Sequence, residues 1–149
     1  MVTPARAAGS PEWFVNPGIK LGYTWGPGGG FTIGLEVSAL GMEFVDEFMY
    51  GPVVSIDYRW ARDFRLRLGG EVCRMGFGAE GGVVASYESG RLRFGLAATP
   101  WFGAVLVPYY TFTLMFDGDY SHEMGGYAKV PLMYYSGTLH RPLDFPYAD

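Results

Sequence analysis

The chain predicts an all-β fold: a closed antiparallel up-and-down barrel of eight strands with a polar lumen and an apolar exterior. Three observations carry this expectation. Segments such as Phe64-Arg65-Leu66-Arg67-Leu68 and Arg91-Leu92-Arg93-Phe94 alternate charged and apolar residues, the period of a strand whose two faces meet different surroundings. The 149 residues include 23 glycines and are 17% aromatic, a mixture that suits short strands and tight turns better than helices. Turn chemistry recurs at hairpin spacing, in Gly26-Pro27-Gly28-Gly29-Gly30, Arg62-Asp63, Gly76-Phe77-Gly78, Glu88-Ser89-Gly90, Gly103 and Asp117-Gly118-Asp119.

In chain order, residues 1–17 read as an N-terminal arm, 18–135 as the barrel and 136–149 as a C-terminal tail. Residues 1–12 lack the apolar stretch of a signal peptide, although Ala5-Arg6-Ala7 has the small-x-small form of a cleavage site. The eight expected strands cover residues 18–25, 31–42, 53–61, 64–75, 79–87, 91–99, 104–116 and 123–135. The longest link is 43–51. Arg74 shares parity with the apolar face, so it either snorkels to an interface or a bulge at Gly69-Gly70 resets the register. The uncharged run 95–116 is long enough to cross a bilayer as a helix, but Pro100, Gly103, Pro108 and Tyr109-Tyr110-Thr111-Phe112-Thr113 favour a hairpin near Trp101-Phe102-Gly103. Pro131 interrupts the last strand.

Which face looks inward follows from the glycines. Gly22, Gly34, Gly69 and Gly95 share parity with Lys20, Glu36, Arg65, Arg67, Glu71, Arg91 and Arg93. On an outer surface each mid-strand glycine would weaken its strand by about 0.5–1 kcal/mol without a packing return. Inside a narrow barrel they make room for long side chains from neighbouring strands. The aromatics agree: Trp25, Phe31, Trp60, Phe64, Tyr87, Phe116 and Tyr120 flank one set of turns, and Phe44, Phe48, Tyr50, Phe77, Trp101, Phe102 and Tyr135 gather near the other. Two aromatic girdles around an aliphatic band are the pattern of a barrel that crosses a membrane.

Residues 18–135 resemble the small eight-stranded outer-membrane β-barrels of Gram-negative bacteria. The likeness rests on Lys20-Leu21-Gly22-Tyr23-Thr24-Trp25, on Phe31-Thr32-Ile33-Gly34-Leu35-Glu36-Val37 and on the girdle spacing, with Tyr134-Tyr135 as the aromatic end of the last strand. The resemblance implies an outer-membrane location, the lipid bilayer as partner, and a structural or surface-interaction role without catalysis.

The inward charges form the main constellation: Lys20, Glu36, Asp57, Arg59, Arg65, Arg67, Glu71, Glu80, Arg91, Arg93 and Lys129. They are expected to plug the lumen through ion pairs, with a narrow anion-preferring water path as the functional alternative. The expected membrane-interface aromatics are Trp25, Phe31, Trp60, Phe64, Trp101, Phe102 and Phe116. The two histidines have no metal-ligand spacing, no cofactor motif is present, and bases interleaved with bulky apolar residues argue against nucleic acid. Cys73 is the single cysteine, so it has no partner for an intrachain disulfide. Two rival readings stand beside the main one. A soluble lipocalin-like barrel would reverse the faces and hold an apolar ligand. A lipid hydrolase would use Ser121, His122 and Glu123, the only local cluster with a nucleophile, a base and an acid.

Overall fold

The computed structural model describes residues 13–26, 29–43, 48–60, 63–74, 76–103, 105–135 and 138–140. Among the described residues ten strands are formed: β1 (Trp13–Trp25), β2 (Gly30–Glu43), β3 (Phe48–Arg59), β4 (Asp63–Arg74), β5 (Phe77–Glu88), β6 (Arg91–Phe102), β7 (Leu106–Met115), β8 (Tyr120–Lys129), β9 (Leu132–Tyr135) and β10 (Thr138–His140). Strands β1 to β8 pair in sequence order, all antiparallel, and β1 pairs back to β8 from Gly18↔Lys129 to Trp25↔His122. That last ladder closes the sheet into the expected eight-stranded barrel and removes its edges. Two-residue turns suit the twist of such hairpins. At the β5–β6 turn Ser89 and Gly90 both take positive φ, 49° and 80°.

Alternation holds along every wall. Lys20, Thr24, Thr32, Glu36, Asp57, Arg65 and Glu123 are buried, whereas Ile19, Leu21, Ile56, Leu68 and Leu114 face outward and Leu35 is 63% exposed. The faces are therefore opposite to those of the lipocalin-like alternative, whose core would be apolar. The glycines fit the inward reading in detail: a Cβ at Gly22 would collide with the Tyr109 hydroxyl, and one at Gly34 with the Asp57 carboxylate. Among the described residues no helix is long and apolar enough to cross a membrane, and the run 95–116 is strand on either side of Gly103.

Several boundaries differ from expectation. Strand β1 begins at Trp13 rather than Gly18, because its lower half pairs with β2 on one side (Trp13↔Gly41) and with β9 on the other (Trp13↔Tyr134). The last expected strand is split at Val130-Pro131 into β8 and β9, since proline has no N–H to give to a ladder. Of the expected link 43–51, the described residues 43 and 48–51 are strand, with Glu43 paired to Phe48 and Gly41 to Tyr50. Gly51 and Pro52, which precede the strand expected at 53–61, are accommodated in β3: Pro52 points outward and Gly51 lets the Ala39 carbonyl pass close by. No bulge occurs at Gly69-Gly70. The β4–β5 register is unbroken from Asp63↔Glu88 to Arg74↔Phe77, and Arg74 sits outside at the strand end with its guanidinium 5.4 Å from the Phe48 ring.

The barrel interior has two chemistries. Charges and hydroxyls fill the middle and the end nearest the β5–β6 and β7–β8 turns. At the opposite end Leu40, Cys73, Trp101, Val107, Tyr109 and Tyr127 form an apolar cluster, with Phe14 and Met49 packed against it.

Candidate functional site: the charged lumen

Glu123 is the hub of the upper lumen, and it is placed there by parity. It lies on β8 two residues from Gly125 and opposite Thr24 of β1, so its side chain must enter the barrel. The Lys20 ammonium lies 2.5 Å from Oε1, and Arg65 donates from Nη2 to Oε2 at 3.0 Å. Thr24 and Thr32 donate hydroxyl hydrogen bonds to Oε2 at 2.9 and 3.3 Å, and the Tyr109 hydroxyl donates to Oε1 at 2.8 Å. Gly22 and Gly125 leave the space that Tyr109 needs to reach this point.

Asp57 carries the network across the barrel. Lys20 donates to its Oδ2 at 3.0 Å, and Arg67 Nη2 lies 3.0 Å from the same oxygen. Arg67 also donates to Ser55 at 2.9 Å and to Thr99, which is hydrogen-bonded to Thr111. Nearer the mouth Arg59 donates to Asp63 at 2.7 Å, and Ser86 donates to the other Asp63 oxygen. At the rim Arg93 bridges Glu88, Asp117 and Asp119. Its guanidinium, by hydrogen bonding, holds the exposed Asp117 carboxyl below the usual carboxylate range.

The lower lumen is built differently. Lys129 faces three carboxylates, Glu36 at 2.7 Å and Glu71 and Glu80 at 3.5 Å each. The rings of Tyr127 and Trp101 flank its ammonium at 4.8 and 5.2 Å, within cation–π range. Tyr127 in turn packs on Tyr109, with ring centroids 4.5 Å apart. Buried charges require such partners, because an unpaired ion in a low-dielectric interior costs several kcal/mol.

Of the charged residues expected in the lumen, Lys20, Glu36, Asp57, Arg59, Arg65, Arg67, Glu71, Glu80 and Lys129 are buried inside the barrel. Arg93 is half-buried at the mouth. Arg91 is the exception: it has inward parity, but it opens β6 beside the Ser89-Gly90 turn and lies exposed beyond the rim. Sequence reasoning missed Asp63, Tyr109 and the structural role of Glu123. Parity could have found them, since Asp63 is two residues from Arg65, and Glu123 six from Lys129, on single strands.

Ser121, His122 and Glu123 are not brought together. Glu123 is inside, Ser121 lines the lumen mouth beside Arg59 and Asp63, and His122 lies outside, its Nδ1 2.5 Å from the Tyr110 hydroxyl. Successive strand residues point to opposite faces, so a nucleophile and base cannot meet there.

The expected interface aromatics Trp25, Phe31, Trp60, Phe64, Phe102 and Phe116 are exposed on the outer face near the two rims. Trp101 is a correction: it is 9% exposed and points into the lumen. Strand β6 continues to Phe102 instead of turning after Thr99, so Trp101 keeps the parity of Arg93, Gly95 and Ala97. Gly78 opposite it supplies the space, since a Cβ there would strike the indole. Phe44 lies outside the described residues, as does the side chain of Tyr135.

A closed eight-stranded meander with charges inside and aliphatic residues outside has the fold of the small transmembrane β-barrels. Among solved structures the chain is similar to Neisserial surface protein A, with a TM-score of 0.52 and 9% identity over 79% of this chain and 96% of that one. It is similar to the de novo designed barrel TMB2.3, with a TM-score of 0.50 and 9% identity over 78% of this chain and 94% of that one. No protein-family model and no curated protein matches the chain. At such identities the likeness is one of fold.

Proposed function

We propose that the protein is a non-catalytic β-barrel of the bacterial outer membrane, with a structural or surface-interaction role and a lumen closed by its own side chains. The observation that carries this reading is the outer face. Ile19, Leu21, Ile33, Leu35, Ile56, Leu66, Leu68, Leu96 and Leu114 are all well exposed and form a continuous aliphatic band, far larger than the apolar patches that water-soluble monomers expose. Barrel strands of 10 to 14 residues are long enough to cross a hydrocarbon core when tilted. The outward aromatics at the two rims suit headgroup depth, with Trp25, Trp60 and Phe64 at one level and Phe77 and Phe102 at the other.

Closure of the lumen is supported by the filling of its charged part. The cavities beside Arg67 and Glu80, and beside Arg59 and Asp63, each have about 20 Å3, room for about one water. The separation of Ser121 and Glu123 from His122 supports a role without hydrolysis. Fractionation tests the location: the chain should require detergent, and it should migrate faster unheated than boiled on a gel. Purification from an aqueous fraction as a detergent-free monomer would overturn the reading. In planar bilayers the purified barrel should give no steady ion current.

A further inference from the structure

The apolar end of the lumen holds a half-open cavity of about 330 Å3, walled by Leu40, Met49, Trp101 and Val107 and bordered by Glu71 and Lys129. An engineered cavity of about 150 Å3 holds a benzene molecule, so this one has room for an aromatic ring and a short substituent. Its polar border is short of positive charge. Lys129 is the ammonium among Glu36, Glu71 and Glu80, and the next cation along the lumen, Arg67, is engaged by Asp57. Glu36 Oε2 and Glu71 Oε2 are buried without a hydrogen-bond partner among the described residues. The Trp101 ring also lines the cavity, and an aromatic face attracts cations.

We propose that this cavity is a binding site for a small hydrophobic cation, an arylalkyl or alkyl ammonium. The apolar body packs between Leu40, Met49, Trp101 and Val107, and the ammonium donates to Glu71, neutralising part of the carboxylate excess. A neutral aromatic of the same size fills the volume but brings no positive charge to the carboxylates. A carboxylate ligand adds a further acidic group to three that share one ammonium. The site lies inside the barrel and stands whether or not the outer face meets lipid.

The test is a titration of the full chain in detergent micelles with three probes of similar size: benzylammonium, benzyl alcohol and benzoate. Binding is followed by the indole N–H resonance of Trp101 and the methyl resonance of Met49. Benzylammonium should saturate both signals and bind about tenfold or more tightly than benzyl alcohol, because both can donate to Glu71 but only the ammonium adds a charge–charge attraction in a low-dielectric site. Glu71→Gln should remove that margin, and Glu36→Gln serves as a second variant should the first fail to fold. Val107→Phe, which fills the cavity, should abolish the saturable shifts without changing partition of the probes into micelles. Equal binding of the three probes, an amine preference that survives the Gln variants, or no saturable shift at Trp101 would each overturn the proposal.

Discussion

Lys20 and Glu123 form an ion pair at the centre of the barrel, 2.5 Å apart, with side chains 0% and 2% exposed. They lie on the two strands whose pairing closes the sheet, so the pair joins the beginning and the end of the barrel. Each is held by further groups, Lys20 by Asp57 and Glu123 by Arg65, Thr24, Thr32 and Tyr109.

Removing one side of this network should be costly. Glu123→Ala leaves Lys20 and Arg65 buried with too little compensating charge, and it is expected to destabilise the barrel by about 3–5 kcal/mol. The double variant with Lys20→Met should cost less than the sum of the two single changes. Urea unfolding in micelles, followed by tryptophan fluorescence, measures both.

The lumen-facing glycines should be sensitive where outward ones are not. Gly34→Ala drives a methyl into the Asp57 carboxylate and should cost about 1–3 kcal/mol, the scale of overpacking. At Gly70, which faces outward, an added Cβ meets only the Gly51 carbonyl at 3.8 Å. Gly70→Ala should therefore leave stability within about 0.5 kcal/mol. Equal losses at the two positions would mean that lumen space is not what these glycines provide.

A charge on the aliphatic band separates a lipid-facing surface from a water-facing one. Leu68→Arg should destabilise by about 2–4 kcal/mol when the barrel is folded into a bilayer. On a water-facing surface the same change falls within about 0.5 kcal/mol. Reversible folding into lipid vesicles gives the number.

The rim pair predicts a pH dependence with a definite sign. Arg93 depresses the folded-state pKa of Asp117, so the carboxylate contributes stability above its unfolded value of about 4, and the contribution is lost as pH falls through the lowered folded value. Wild type should therefore melt above Asp117→Asn at pH 7, and the two melting temperatures should converge in acid. A gap that widens as pH falls would contradict the pairing.

Much of the fold and of the site was legible because a strand has a side-chain period of two. Arg65 and Arg67 had to share a face with Gly69 and Glu71, and Leu66 and Leu68 had to share the other, wherever the strand ended. The failures occurred at strand ends, where the hydrophobic pattern weakens and turn residues mislead. Gly51 and Pro52 fall outside the expected strands but lie within β3, and the turn expected after Thr99 hid the inward course of Trp101. Arg91 failed for the opposite reason, since parity cannot say how far beyond the rim a residue lies.

Sequence order alone specified the alternation, the number of strands in the barrel and most of the inward charges, because these depend on the local pleat and on turn chemistry. Only the closed barrel decided who meets whom. Lys20 reaches Asp57 across 37 positions, and Arg65 reaches Glu123 across 58; strand tilt and closure set such distances, and neither is encoded at any one position. The same closure gathered Leu40, Met49, Trp101 and Val107 from four strands around one cavity and left Lys129 alone among three carboxylates.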